Sequence, residues 1–222
     1  MPPLEQPSAQ PDPVFNGYTI PFLVFLSLTG LTNLIPGGTY VVYPLKTFLG
    51  AGLLWYYRKE YLELKDWRFH WSAVVVGLLV LVLWVGLDAY YPKLSPSPGF
   101  NPFTTGNPVT DFLMASVRLG GSFLVVPVLE ELFWRSWLLR FLVDQADYRR
   151  VPLGHFTWFS FLVASILFGL EHDRWLAGIV TGALYSGLVY WHKEIRSPIV
   201  AHGVTNLSLG IYILMTGNWS LW

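Results

Sequence analysis

Residues 74–87 read V-V-V-G-L-L-V-L-V-L-W-V-G-L, fourteen positions without a charged side chain. A segment that is apolar on every side has no face to give to water, so it belongs inside protein or inside lipid. Seven apolar stretches of this kind run along the chain, at 18–35, 40–57, 72–91, 111–134, 156–172, 175–191 and 198–216. A helix crosses the hydrocarbon with about 20 mostly apolar residues, and roughly 17–25 are tolerated. The pattern predicts an all-α, polytopic membrane bundle of seven transmembrane helices, or eight if 111–143 folds as two segments. Pro127 lies within that stretch and predicts a kink. Only 13% of the residues are charged, about half the usual share in a soluble domain.

The loops predict an orientation. With the N-terminus inside, cytoplasmic loops hold Arg58, Lys59, Lys65, Arg68, Arg140, Arg149, Arg150, Lys193 and Arg196, while the opposite face holds Lys93 and Arg174. The positive-inside rule favours that arrangement; the expected location is an integral position in a bacterial inner (plasma) membrane. Residues 1–17 are Pro-rich and polar and read as a disordered tail. Residues 18–110 read as helices without a motif, 111–216 as the functional core, and 217–222 as a short C-terminal tail. A formal net charge of zero implies no surface for nucleic acid, and the absence of cysteine excludes disulfides and thiolate metal sites.

Against this background, L-E-E-L-F-W-R at 129–135 is anomalous. A charge at mid-membrane costs about 2.5–3.5 kcal/mol on insertion scales and normally faces the bundle interior. Glu131 and Arg135 are four apart, share a helix face and can pair. Glu130 points elsewhere and has no partner on its own helix. Two further polar groups interrupt later helices: Phe168 and His172 in L-F-G-L-E-H-D, and His202 and Asn206, again four apart, in I-V-A-H-G-V-T-N. A carboxylate, two imidazoles and an amide are the parts for hydrolysis, a base for water and donors for an oxyanion. Glu171 and Asp173 flank His172 and read either as carboxylates that orient its ring or as surface charges. Lys46 and Asp88 read as interfacial. Arg118 reads as a partner for a cavity carboxylate or for lipid phosphate. The loop assignment puts His172 at the outward end of its helix, at a different depth from His202. Bringing the groups together requires short, tilted helices around a polar cavity.

The series E-E-x-x-x-R, F-x-x-x-H and H-x-x-x-N, in this order on successive apolar helices, resembles the CPBP family. These are the CAAX-protease and bacteriocin-processing (Abi) membrane endopeptidases, which include the type II CAAX prenyl endopeptidases. The resemblance covers roughly residues 111–216. It implies that Glu130 with His172 activates water, that His202 and Asn206 hold the oxyanion, and that Glu131, Arg135 and Phe168 support them. It implies an intramembrane endopeptidase acting on a membrane-associated peptide or protein, including a C-terminally lipidated one, with membrane lipid as surroundings. No cofactor is required by this reading; Zn2+ held by Glu130, His172 and His202 is the alternative. Two other functions compete: a transporter or proton relay built on intramembrane Glu and His, and a non-catalytic scaffold or immunity protein.

Overall fold

The computed structural model describes residues 12, 14–35, 37–65, 68–95 and 99–222. Among them the chain forms helices and turns and no strand. Seven principal helices coincide with the seven apolar stretches: α1 (Ile20–Leu31), α2 (Gly38–Tyr57), α3 (Trp71–Gly86), α4 (Pro108–Phe141), α5 (Trp158–Leu170), α6 (Trp175–His192) and α7 (Arg196–Thr216). The segment read as one or two crossings is therefore a single helix. Its start is set chemically: Asn107 accepts from the backbone N–H groups of Val109 and Thr110, Pro108 occupies the first turn, and Asp111 follows. Thr157 caps α5 in the same way through Ser160. Gly217, at φ 70°, ends α7 in the left-handed conformation.

Length separates these helices. Only α4 and α7 are both long and apolar enough to cross a membrane by themselves; α1, α3 and α5 are shorter apolar helices. At 1.5 Å per residue, α3 is about 24 Å long and α1 about 18 Å, against hydrocarbon about 30 Å thick. The packing is nevertheless that of a lipid-facing bundle. On α3 Ala73, Gly77 and Val80 are buried, while Val75, Leu78, Leu79 and Val82 are exposed. Large apolar side chains outside and small ones at helix contacts suit hydrocarbon, where helices associate through close backbone approach. Gly77 permits such an approach: a Cβ there would lie 2.5 Å from the Ala201 carbonyl of α7. At the α5–α6 contact, a Cβ on Gly178 would lie 2.8 Å from Gly169 Cα.

Helix α4 is interrupted twice by π-helical turns, at Gly121–Val125 and Leu132–Leu138. The first turn accommodates Pro127, which has no N–H and crowds the carbonyl four residues back. The proline thus widens the helix locally, where the sequence predicted only a kink.

Most of the 1–17 tail lies outside the described residues, but Asn16 is buried and Tyr18 donates through its hydroxyl to Glu63. Of residues 14–17, Asn16 and Gly17 are buried, while Val14 and Phe15 are exposed. In the short C-terminal tail, Trp219–Leu221 forms a 3-10 turn with Leu221 buried.

Candidate active site

All seven helices, together with the turn after α5, contribute side chains to a cavity of about 620 Å³. It runs from the middle of the bundle to the end that holds Ser95, Gly99, Phe100, the 171–174 turn and the C-terminal 3-10 turn. Glu130, His172, His202 and Asn206 all line it. The depth conflict implied by the loop assignment disappears because α5 is short and His172 folds back. Its Nδ1 donates to the Phe168 carbonyl at 2.8 Å, and its ring packs edge-on against Trp84, 5.4 Å between centroids. A carbonyl only accepts, so the Nδ1–H is fixed and the Nε2 of neutral His172 is an acceptor.

The polar residues divide into committed and uncommitted groups. Glu131 is fully buried, and its Oε1 accepts from both Arg135 (3.2 Å) and His202 Nδ1 (2.8 Å). Arg135, 1% exposed, also donates to the Gly182 carbonyl at 3.4 Å and lies 4.1 Å from the Phe168 ring centre. Phe168 is thus a wedge: its ring also contacts His172 and lies 6.3 Å from His202. The pairing of Glu131 with Arg135 was legible from their spacing; the His202 contact was not. With Glu131 ionised beside Arg135, the Nδ1 proton of His202 faces Glu131. Nε2 remains free to accept from a neutral ring or donate from a charged one. Glu130, 6% exposed, enters none of the ion pairs formed by the described residues; its Oε2, like the Oε2 of Glu131, has no hydrogen-bond partner among them.

Asn206 is positioned by the first π turn. There a carbonyl accepts from the N–H five residues on, and Val126 N–H accordingly meets Gly121 O. The same register assigns Ser122 O to residue 127, which is proline and has no N–H. Asn206 Nδ2 donates to this carbonyl at 2.8 Å. One amide hydrogen is used, and the second remains for the cavity.

Several lining residues were not singled out as site residues by their sequence context. Glu171 lines the cavity and accepts from Trp134 Nε1 at 3.2 Å. Lys46, expected at the interface, is buried and also lines the cavity; Arg118 joins it there. Asp88, expected at the interface, lies in the 3-10 turn that follows α3 and is bound to Arg174 (2.6 Å) and Lys93 (3.2 Å). Burial opposes ionisation of Asp88, but these two cations outweigh it and hold its carboxyl below the ordinary range. Among the described residues no group of three His, Asp or Glu side chains is placed to hold a metal ion.

A chain with these three motifs gathered on one cavity can be compared with known families. Residues 112–208 match the Rce1-like type II CAAX prenyl endopeptidase family. That family is membrane-embedded and proteolytic, and the match runs from α4 into α7, the part of the chain that holds Glu130, His172, His202 and Asn206. No curated protein and no solved structure matches the chain.

Proposed function

We propose that this chain is an intramembrane endopeptidase that hydrolyses a peptide bond near the end of a membrane-associated protein or peptide, lipidated substrates included. The observation that carries this reading is the uncommitted Glu130 carboxylate in a cavity that it shares with His172, His202 and Asn206. A buried acid paired with nothing costs stability, and groups kept in that condition are typical of sites that move protons.

The chemistry follows from the donors and acceptors. Water lies between Glu130 and the acceptor Nε2 of His172; Glu130 takes its proton as the oxygen adds to the scissile carbonyl carbon. The carbonyl oxygen becomes an oxyanion and receives the second Nδ2 hydrogen of Asn206 together with Nε2–H of His202. When the tetrahedral intermediate collapses, the C–N bond breaks and Glu130 returns the proton to the leaving amine. Water is thereby divided between a new carboxylate and a new amine. Glu131 and Arg135 hold the His202 ring in place, in the way that a buried carboxylate orients a catalytic imidazole.

The seven helices are proposed to cross a bacterial inner membrane, tilted or thinning it where they are short, with the N-terminus and the nine-cation face cytoplasmic. The cavity reaches the opposite face, which carries Lys93 and Arg174. A peptidomic comparison of membranes carrying the wild-type protein or Glu130→Ala tests the proposal. New C-termini are expected only with the wild type. Identical peptide populations, with solute uptake in proteoliposomes abolished by Glu130→Ala, would replace it with transport.

A further inference from the structure

The turn that carries His172 is held from two sides. On one side Leu94 N–H donates to the Asp173 carbonyl at 3.0 Å, and Arg174 binds Asp88 at 2.6 Å and the Ser220 carbonyl at 3.0 Å. These contacts tie it to the segment after α3 and to the C-terminal 3-10 turn. On the other side Trp134 Nε1 of α4 donates to Glu171 Oε2 at 3.2 Å. Trp134 is 6% exposed, and its ring meets Phe168 edge-on with 5.8 Å between centroids. Phe168 in turn lies 4.8 Å from the His172 ring. Trp134 stands four positions after Glu130, on the same face of α4 and about 6 Å further along it. One hydrogen bond, across 37 positions of sequence, therefore links the turn that holds His172 to the helix face that holds Glu130.

A carboxylate at 171 is a costly way to make that link. Glu171 flanks His172 but does not hold its ring, whose Nδ1 proton goes to the Phe168 carbonyl. Its charge shares the cavity with Glu130, which repels it, while Arg135 and Lys46 attract it. Acids in a low-dielectric cavity carry a desolvation penalty. In return, a buried indole N–H needs an acceptor, and a carboxylate gives it the stronger, charge-assisted bond.

We infer that Glu171 is a positioning residue that, through Trp134, sets the separation at which Glu130 and His172 both reach one water. This rests on the endopeptidase reading and adds to it a residue outside the three motifs. Each group must come within hydrogen-bond reach of that water, about 2.6–3.2 Å. A displacement of about 1 Å at a reacting centre costs on the order of 10² in rate. The link acts on geometry in the chemical step, so its loss lowers kcat and leaves KM nearly unchanged. What it requires at 171 is an acceptor in the right place. Glutamine supplies one through its carbonyl, and alanine supplies none.

The test uses the full chain in phosphatidylcholine vesicles and a lipidated peptide spanning one of the new C-termini that appear with the wild type. Glu171→Ala and Trp134→Phe are each expected to lower kcat about 10–100-fold, with KM within about twofold of wild type. Glu171→Gln should keep kcat within about threefold. The double variant Glu171→Ala/Trp134→Phe should be no slower than the slower single variant, because both remove the same bond. Amide hydrogen exchange read by mass spectrometry is independent of cleavage: residues 171–174 should exchange faster in Glu171→Ala and at the wild-type rate in Glu171→Gln. Wild-type kcat in Glu171→Ala would overturn the inference. So would a Glu171→Gln protein as slow as Glu171→Ala, which assigns the effect to charge, or multiplicative losses in the double variant. If the wild type yields no new C-termini and cuts no peptide, the endopeptidase reading fails. Exchange that separates Glu171→Ala from Glu171→Gln then still supports the link, and exchange that does not separate them overturns it.

Discussion

Replacing Glu131 by glutamine keeps the shape of the side chain and removes its charge. Its Oε1 now accepts from Arg135 and His202 inside the bundle, where both Glu131 and Arg135 are inaccessible to solvent. Breaking a buried pair by neutralising one partner usually costs about 3–5 kcal/mol. Arg135 retains the Gly182 carbonyl and the Phe168 ring, and the glutamine carbonyl still accepts one bond. The expected loss is therefore at the low end, about 3 kcal/mol, or more than a hundredfold in the unfolding equilibrium. Glu130→Gln has the opposite expectation: neutralising an acid with an unpartnered oxygen should leave stability unchanged or raise it. Reversible denaturant unfolding in a mild detergent, followed by tryptophan fluorescence, measures both. Glu131→Gln within about 0.5 kcal/mol of wild type, the usual range for a neutral surface change, would refute the division into committed and uncommitted carboxylates.

The Pro127–Ser122–Asn206 relation predicts a coupled pair. Asn206→Ala should cost about 1–3 kcal/mol by stranding the Ser122 carbonyl, and less in a Pro127→Ala background, where residue 127 regains an N–H; strict additivity in a double-mutant cycle would contradict it. At the cavity mouth, Asp88 has a depressed pKa, so its pairs with Arg174 and Lys93 contribute above the unfolded aspartate pKa. That contribution is lost as pH falls through the lower folded value. The wild-type advantage over Asp88→Asn in thermal unfolding should be small, at most about 1 kcal/mol, present at neutral pH and gone in strong acid; an advantage that grows on acidification would reverse the argument. Because the chain has no cysteine, orientation can be read with single thiols. An impermeant reagent on intact cells should label Asn218→Cys and spare Lys59→Cys, and the reverse pattern would invert the proposed topology.

Much of this architecture was visible in the hydrophobic pattern, because a helix without polar residues declares itself locally. The ends of α2, α6 and α7 were legible to within a few residues for that reason. Hydropathy reports neither hydrogen-bond register nor reach, so the π turns of α4 and the shortness of α1 were hidden. The four cavity residues were found because each is polar in an apolar stretch and fits a family spacing. Lys46 and Arg118 satisfy only the first condition. A lone cation on an apolar helix is more often at an interface, and only tertiary packing brings these two onto the ring of Tyr43. The link between His202 and Glu131 spans 71 positions, and no local spacing rule reaches that far.

The central claim is that Glu130 is kept unpaired in order to move a proton. Its most direct test is the cleavage rate of a membrane-presented lipidated peptide by purified Glu130→Gln protein, checked by its unfolding curve to be folded. The predicted result is a protein at least as stable as wild type with cleavage reduced by on the order of 10²–10⁴-fold. Cleavage at the wild-type rate by that folded variant would contradict the account.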